Sequence, residues 1–461
     1  MAALLDESRD ESRNRFAGEV AARIERLPLS AWQVRTRIII GTATFFDAFD
    51  ALSIAYILPV IVPLWKLTPQ ETGFLISAGF FGQLFGALFF GWYAERYGRM
   101  KALVASIATF AILSFACAYS WDYASLLVLR TLQGFGLGGE VPVAATYIGE
   151  LAKAKGRGRF VLVFELVFPC GILAASLLGL WLVPAFGWQS MFFVGAIPAV
   201  LVLFLQRLLP ESPRWLAARG RYADAEAALR VVETGTEKAL GRKLPPPDRA
   251  IMAPLKRSSL SDLFGPIYLR RTLVVWVMWF ATYFVNYGLA TWMPTLYRTI
   301  FHLPLDVALR YQLITNVVTL FSSFACAMLI DLTGRRAWFV GAFACSAAAL
   351  LTLWYIGPTT PERVLVLGTL SHMCVGTMSL AVYLYTPELY PTRTRALGVG
   401  TATAWLRLAS IIGPTVVGMM VADSGLTSVF LVFALVALAA SIIVGLFAIE
   451  TKGRVLEEIS P

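Results

Sequence analysis

The sequence predicts an all-α integral membrane protein with twelve transmembrane helices, arranged as two six-helix bundles related by pseudo-two-fold symmetry. Three observations carry this reading. The 461 residues are 58% hydrophobic and only 15% charged, with a mean hydropathy of +0.69, far too apolar for an ordinary soluble domain. Apolar runs long enough to cross roughly 30 Å of hydrocarbon begin near Arg37, Gln70, Lys101, Asp122, Arg159, Trp188, Thr272, Val307, Trp338, Val364, Ala396 and Leu426. Finally, three signals recur about half a chain apart. The acid, glycine and cation pattern of Gly91-Trp92-Tyr93-Ala94-Glu95-Arg96-Tyr97-Gly98-Arg99-Met100-Lys101 returns as Asp331-Leu332-Thr333-Gly334-Arg335-Arg336. Glu150 with Arg157 and Arg159 is echoed by Glu388 with Arg393 and Arg395. Pro210-Glu211-Ser212-Pro213-Arg214 is echoed more loosely by Glu450-Thr451-Lys452-Gly453-Arg454. Such a repeat reads as duplicated membrane halves.

The net charge of +10 does not indicate nucleic acid, because the cations are placed by topology. Of the 39 Lys and Arg, only Lys66, Arg298, Arg310 and Arg363 fall in connections on one side, and Arg130 and Arg407 lie within spans. The rest occupy the termini and the other connections, which puts both termini in the cytoplasm. The organisation that follows is a cytoplasmic N-terminal segment 1–36, a bundle 37–209, a cytoplasmic linker 210–271, a second bundle 272–449 and a tail 450–461. The N-terminal segment lacks the pattern of a cleavable signal, so the first span directs insertion. The five cysteines stand singly in apolar runs, so neither a disulfide framework nor a metal cluster is expected, and no cofactor.

Along the chain, Asp47 and Asp50 in the first span are three residues apart and share a helix face, which must look into a cavity or toward a cation rather than lipid. The glycine turns at Gly98 and Gly334, with Gly91, Glu95, Arg96, Arg99, Lys101, Asp331, Arg335 and Arg336, suit ion pairs that hold one conformation and break in another. The fourth span, Arg130 to Pro142, is dense in small residues that allow close helix approach. It follows no strand, so it is not a nucleotide loop. Arg130 needs a partner, and Asp50 is the candidate. Glu140 reads as a second protonatable group, a cation ligand or a packing residue. Glu165 in the fifth span reads as a cavity acid or a structural ion pair. In the linker, Tyr222 to Glu233 reads as an amphipathic helix.

The seventh span is rich in aromatics, and Thr282, Tyr283, Asn286 and Tyr287 place polar tips deep in the membrane, as a site for a flat ring requires. Tyr383 joins them from the tenth span, where His372 reads as a packing residue. In the eleventh span Trp405 stands beside Arg407, which cannot shed its charge and must meet an acid, carbonyls or an anionic ligand. Asp50, Arg130 and Arg407 are expected to border a watery passage at the seam of the bundles.

The chain resembles a major facilitator superfamily transporter over nearly its whole length, through Gly91 to Lys101, Asp331 to Arg336, Arg130 to Gly139, Pro210 to Leu216, Pro387 to Arg393 and Glu450 to Arg454. The resemblance points to the branch of sugar porters, organic ion transporters and aromatic-acid symporters, and implies a central site and alternating access. In proton-driven sugar porters an Asp on the first span and an Arg on the fourth form the coupling pair, matching Asp50 and Arg130. The sugar site does not carry over, since Ala281 and Thr282 replace the paired glutamines of the seventh span and Glu165 replaces that of the fifth. The doubled acid of the first span resembles aromatic-acid/proton symporters, and Gly138-Gly139-Glu140-Val141-Pro142 resembles nicotinate permeases.

The expected function is therefore proton-coupled import of a small aromatic monocarboxylate, nicotinate or a benzoate-like acid, by a monomer in the bacterial inner membrane. Its partners are the substrate acid, protons and lipid, with no nucleic acid. Two alternatives stand beside it: an organic cation transporter using Asp47, Glu140 and Glu165, and a transporter-like receptor that binds without transport. No nucleophile and base, metal cluster or phosphate loop suggests an enzyme.

Overall fold

The computed structural model describes residues 16–28, 30–151, 167–247, 259–391 and 394–453. The expectations on Arg157, Arg159, Glu165 and Arg393 lie outside the described residues. The first half contains α1 (Ala31–Trp65), α2 (Pro69–Tyr97), α3 (Arg99–Cys117), α4 (Tyr123–Leu151), α5 (Val167–Phe186), α6 (Gln189–Gly195) and α7 (Pro198–Leu208). Two short helices follow in the linker, α8 (Pro213–Ala218) and α9 (Tyr222–Leu240). The second half contains α10 (Leu269–Thr299), α11 (Leu305–Thr333), α12 (Arg335–Ile356), α13 (Pro361–Glu388), α14 (Arg395–Asp423) and α15 (Leu426–Phe447).

Ten of these helices are long and apolar enough to cross a membrane. The other two expected spans are present in altered form. α4 is long enough, but Arg130, Gln133, Glu140 and its glycines dilute its hydropathy. The sixth span is broken into α6 and α7: Ala196 and Ile197 bond back to Phe193 and Val194 in tight three-residue turns, ahead of Pro198, which has no N–H to continue the ladder.

Local signals set the helix starts. Thr68 caps α2 and forms a reciprocal capping box with Glu71, with Pro69 in the first turn, satisfying N–H groups that have no partner within the helix. At α13, Thr360 accepts from the Arg363 N–H with Pro361 in the first turn, without a reciprocal acid. The small residues of α4 do bring backbones together: a Cβ on Gly134 would collide with the Gly79 carbonyl of α2, so only glycine permits this approach. The linker helix predicted over Tyr222 to Glu233 runs on to Leu240, where Gly241 ends it with φ of 67°.

The halves meet chiefly along three helix pairs, α2 with α14, α5 with α11 and α1 with α10, with a smaller contact between α1 and α11. The linker helices lie at the α1 N-terminal end of the bundles, where Gly235 of α9 packs on Trp32. This side is called the linker face below.

Candidate functional site

Asp50 and Arg130 form the expected ion pair, but inside the first half rather than at the seam. The Arg130 guanidinium donates to Asp50 at 3.3 Å, and both residues are almost wholly buried. The same guanidinium nitrogen donates to Gln133 Oε1 at 2.8 Å. The single hydroxyl proton of Ser114, on α3, is shared between the other Asp50 oxygen at 3.3 Å and the Phe192 carbonyl at 2.9 Å. Gly195, at the end of α6, lies so close that a Cβ there would press on Asp50 Oδ1 and Ser114. The break in the sixth span thus makes room for the carboxylate. A buried charge is costly unless paired and hydrogen-bonded; protein groups supply these partners, so the pair needs no watery seam.

The seam itself is crossed by Arg407, which is half-buried on α14 and donates to Gln83 Oε1 on α2. Asp47 interacts electrostatically with Arg407 and with Asp50, and its buried Oδ1 has no hydrogen-bond partner among the described residues. Tyr287 of α10 also interacts with Arg407 and Asp47, and its ring meets Phe80 of α2 across the seam at 4.8 Å. One turn from Asp47 along α1, Thr44 donates to Glu140 Oε1 at 3.0 Å.

The predicted aromatic set divides into two groups. Trp279, Tyr283 and Tyr287 stack along α10 with centroids 5.8 and 5.7 Å apart, and Tyr383 meets Trp279 edge-on at 4.7 Å. Tyr283 donates to the Ser379 carbonyl, Thr282 is buried with its hydroxyl unpartnered among the described residues, and Asn286 is half-buried. Trp405 belongs to the second group, against Trp276 and Phe280. Two residues apart on a helix are about 200° apart in direction, so Trp405 and Arg407 do not present one combined surface. His372 is buried, its Nδ1 3.0 Å from the Thr319 hydroxyl and its Nε2 without a hydrogen-bond partner among the described residues.

Toward the face opposite the linker, the halves are joined by buried polar contacts that the sequence reading does not single out. Asn316 of α11 donates to Tyr56 of α1 at 2.9 Å and to Ser176 of α5 at 2.7 Å, and those two hydroxyls are 2.6 Å apart. Ser77 of α2 bonds Ile411 and Thr415 of α14. A lone amide in an apolar span, as at Gln83 or Asn316, is the signal that marks them.

At the linker face the repeated motifs build matching clusters. Arg99 pairs with Glu95 and Glu150, each at 2.9 Å. Arg335 pairs with Asp331 at 2.6 Å and Glu388 at 3.3 Å. Arg96 and Lys101 are exposed beside the first cluster, and Gly91 lies within α2 with open space around it. Arg336 donates to the Gly445 carbonyl, and Arg395 begins α14. The Glu211 carboxylate accepts from the backbone of Arg99 and Met100, and that of Glu450 from Arg335 and Arg336. Burial pushes Glu211 above the usual glutamate range. At Glu450 burial acts the same way, but N–H donors from Lys452, Arg335, Arg336 and Thr451 outweigh it and hold the group low. Two cavities of about 360 and 480 Å³ open on either side of Trp215 here; they border the motif clusters, not the charged groups at mid-depth.

A family model described as "Sugar (and other) transporter" matches residues 41–461. This chain belongs to that family. Within it, the chain is 34% identical over 450 residues to the niacin transporter NiaP of Acinetobacter baylyi, covering 96% of this chain and 99% of that protein. It is 29% identical to the putative niacin/nicotinamide transporter NiaP of Bacillus subtilis, covering 91% and 96%. The fold matches the partially occluded inward-open structure of the xylose transporter XylE from E. coli, with a TM-score of 0.72 at 21% identity, over 92% of this chain and all of that one. The family fold is the twelve-helix major facilitator arrangement expected from the repeat. The protein is a multi-pass membrane transporter of small molecules and not an enzyme.

Proposed function

We propose that this transporter imports a small aromatic monocarboxylate, nicotinate foremost, together with protons. The observation that carries the reading is Arg407: a permanent cation reaching across the seam at mid-depth, beside Tyr287 and Asp47. A guanidinium recognises a carboxylate through charge-assisted hydrogen bonds, and the Tyr283, Tyr287 and Phe80 rings offer faces for a flat ring. The niacin names of two relatives agree with this choice. Asp50, paired with Arg130, is the proton acceptor; Asp47 and Glu140 are further acids on the path. The linker-face clusters of Glu95, Arg99 and Glu150, and of Asp331, Arg335 and Glu388, act as conformational locks. The linker face is cytoplasmic by the distribution of cations, the membrane is the bacterial inner membrane, and the unit is a monomer in contact with lipid. Sugars are disfavoured by Ala281 and Thr282.

The test is uptake of labelled nicotinate into proteoliposomes with an inward proton gradient. Accumulation that benzoate inhibits and a quaternary ammonium does not is the expected result. Inhibition by the quaternary ammonium alone overturns the substrate class, and binding without counterflow turns the protein into a receptor.

A further inference from the structure

The Asp50 and Arg130 pair is held in an unusual way. Arg130 has one guanidinium nitrogen shared between a carboxylate and a neutral amide, and it lies nearer the amide: 2.8 Å to Gln133 Oε1 against 3.3 Å to Asp50 Oδ2. Gln133 is fully buried one turn along α4, and its Oε1 also faces the Cys117 thiol of α3 at 3.7 Å. On its other side the guanidinium stands over the Phe192 ring at 5.9 Å. Asp50 likewise has a second contact in the Ser114 hydroxyl, which it shares with the Phe192 carbonyl. Each member of the pair therefore keeps a hydrogen bond when the other lets go.

We propose that Gln133 is a positioning residue for proton coupling: it holds Arg130 when Asp50 takes a proton, and so sets how readily that proton binds. Ser114 does the same for Asp50 from the opposite side. A buried arginine deprived of its only acceptor is strongly unfavourable, so without Gln133 the guanidinium grips Asp50 and resists its protonation. The other groups facing the pair are few among the described residues. Asp47 lies one turn along α1, Cys117 comes from α3, and α2 and α6 present Gly79, Phe192 and Gly195, which do not titrate.

This inference deepens the proton-coupled reading, and a measurement that needs no substrate separates the two. The carboxyl stretching band of purified protein is titrated by infrared difference spectroscopy, with Asp50→Asn identifying the band. Gln133→Met removes both the acceptor that competes for Arg130 and an amide that favours the Asp50 carboxylate; the Arg130 charge is the larger of the two influences on Asp50, so the midpoint moves down. Gln133→Glu, which offers Arg130 a competing carboxylate and sets a second acid beside Asp50, moves it up by about one pH unit or more, read on the band that Asp50→Asn removes in the same background. Ser114→Ala, which removes a donor to the carboxylate, also moves it up, and serves if a Gln133 variant does not fold. Opposite shifts from the two Gln133 variants are not produced by a purely structural role. An unchanged midpoint in the folded variants overturns the proposal, as does a wild-type spectrum with no band that Asp50→Asn removes. A titrating band in a protein that accumulates no nicotinate on a proton gradient overturns the proposed function and leaves this inference standing.

Discussion

Glu450 accepts hydrogen bonds from the backbone N–H groups of Arg335 at 2.9 Å and Arg336 at 3.0 Å, 115 and 114 residues away in the chain. The tail of the second half thereby caps a helix that began far earlier, placing an anion at the positive end of α12. Glu211 does the same for α3, accepting from Arg99 and Met100. The carboxylates sit against Gly334 and Gly98, so one device is built twice.

Replacing either glycine should be costly for two separate reasons. Gly98 has φ 115° and ψ 153°, and Gly334 has φ 96° and ψ 150°, a region open essentially to glycine alone and costing other residues about 1–3 kcal/mol. A Cβ would also strike the capping carboxylate. Gly98→Ala and Gly334→Ala should each lower the melting temperature in detergent, and Gly91→Ala, with open space around it, should not. Equal melting temperatures for all three would remove the glycine argument.

The two caps should respond to pH in opposite senses. Glu450 is held below the ordinary glutamate value, about 4.3, so its contribution is present above that value and is lost as pH falls through its folded one. Glu211 is raised by burial, so its contribution is full below the ordinary value and declines as pH rises through the folded one. Thermal stability measured against pH should show a shallower acid limb for Glu450→Gln than for wild type. Glu211→Gln should instead remove part of the decline above the ordinary glutamate value. Parallel curves for both variants would contradict these assignments.

The sequence reveals the architecture because lipid forces it: apolar length, turn glycines and repeated charges are large signals with one physical cause each. Asp50 and Arg130 are legible as partners because unpaired ions at that depth are prohibitive. What the sequence hides is which group each neutral polar side chain meets. Gln133 reaches Arg130 one turn away, Ser114 and Asn316 reach other helices, and none of the three follows a period. Gly195 looks like any other glycine until the break after α6 sets it against Asp50. The echo of Glu211 in Glu450 is visible as a repeat, yet nothing local discloses that both reach back to cap earlier helices.

The Asn316, Tyr56 and Ser176 contact joins three helices from both halves, and separation of the halves toward that face must break it. Asn316→Leu leaves the Tyr56 and Ser176 hydroxyls bonded to each other and removes the bonds across the seam, along with a long contact from Gln312 one turn away on α11. A loss of about 1–1.5 kcal/mol should shift the population toward the opposite-open state by roughly tenfold. Labelling of a cysteine introduced near that face, or pulsed spin-label distances across α5 and α11, should report the shift. Distances identical to wild type would show that the contact does not hold the state.

Binding and coupling fall to different residues. If Arg407 receives the substrate carboxylate, Arg407→Ala should weaken nicotinate binding by roughly tenfold to a hundredfold, the scale of a hydrogen bond to a charged group. Arg407→Lys should recover only part, because an ammonium does not reproduce the guanidinium fork. Asp50→Asn, buried away from the seam, should instead leave counterflow exchange measurable while abolishing accumulation against a gradient. Isothermal titration for Arg407 variants and paired uptake and counterflow assays for Asp50→Asn resolve the two roles. Unchanged affinity in Arg407→Ala would remove Arg407 from the site, and proton-driven accumulation at the wild-type level in Asp50→Asn would move the coupling to another acid.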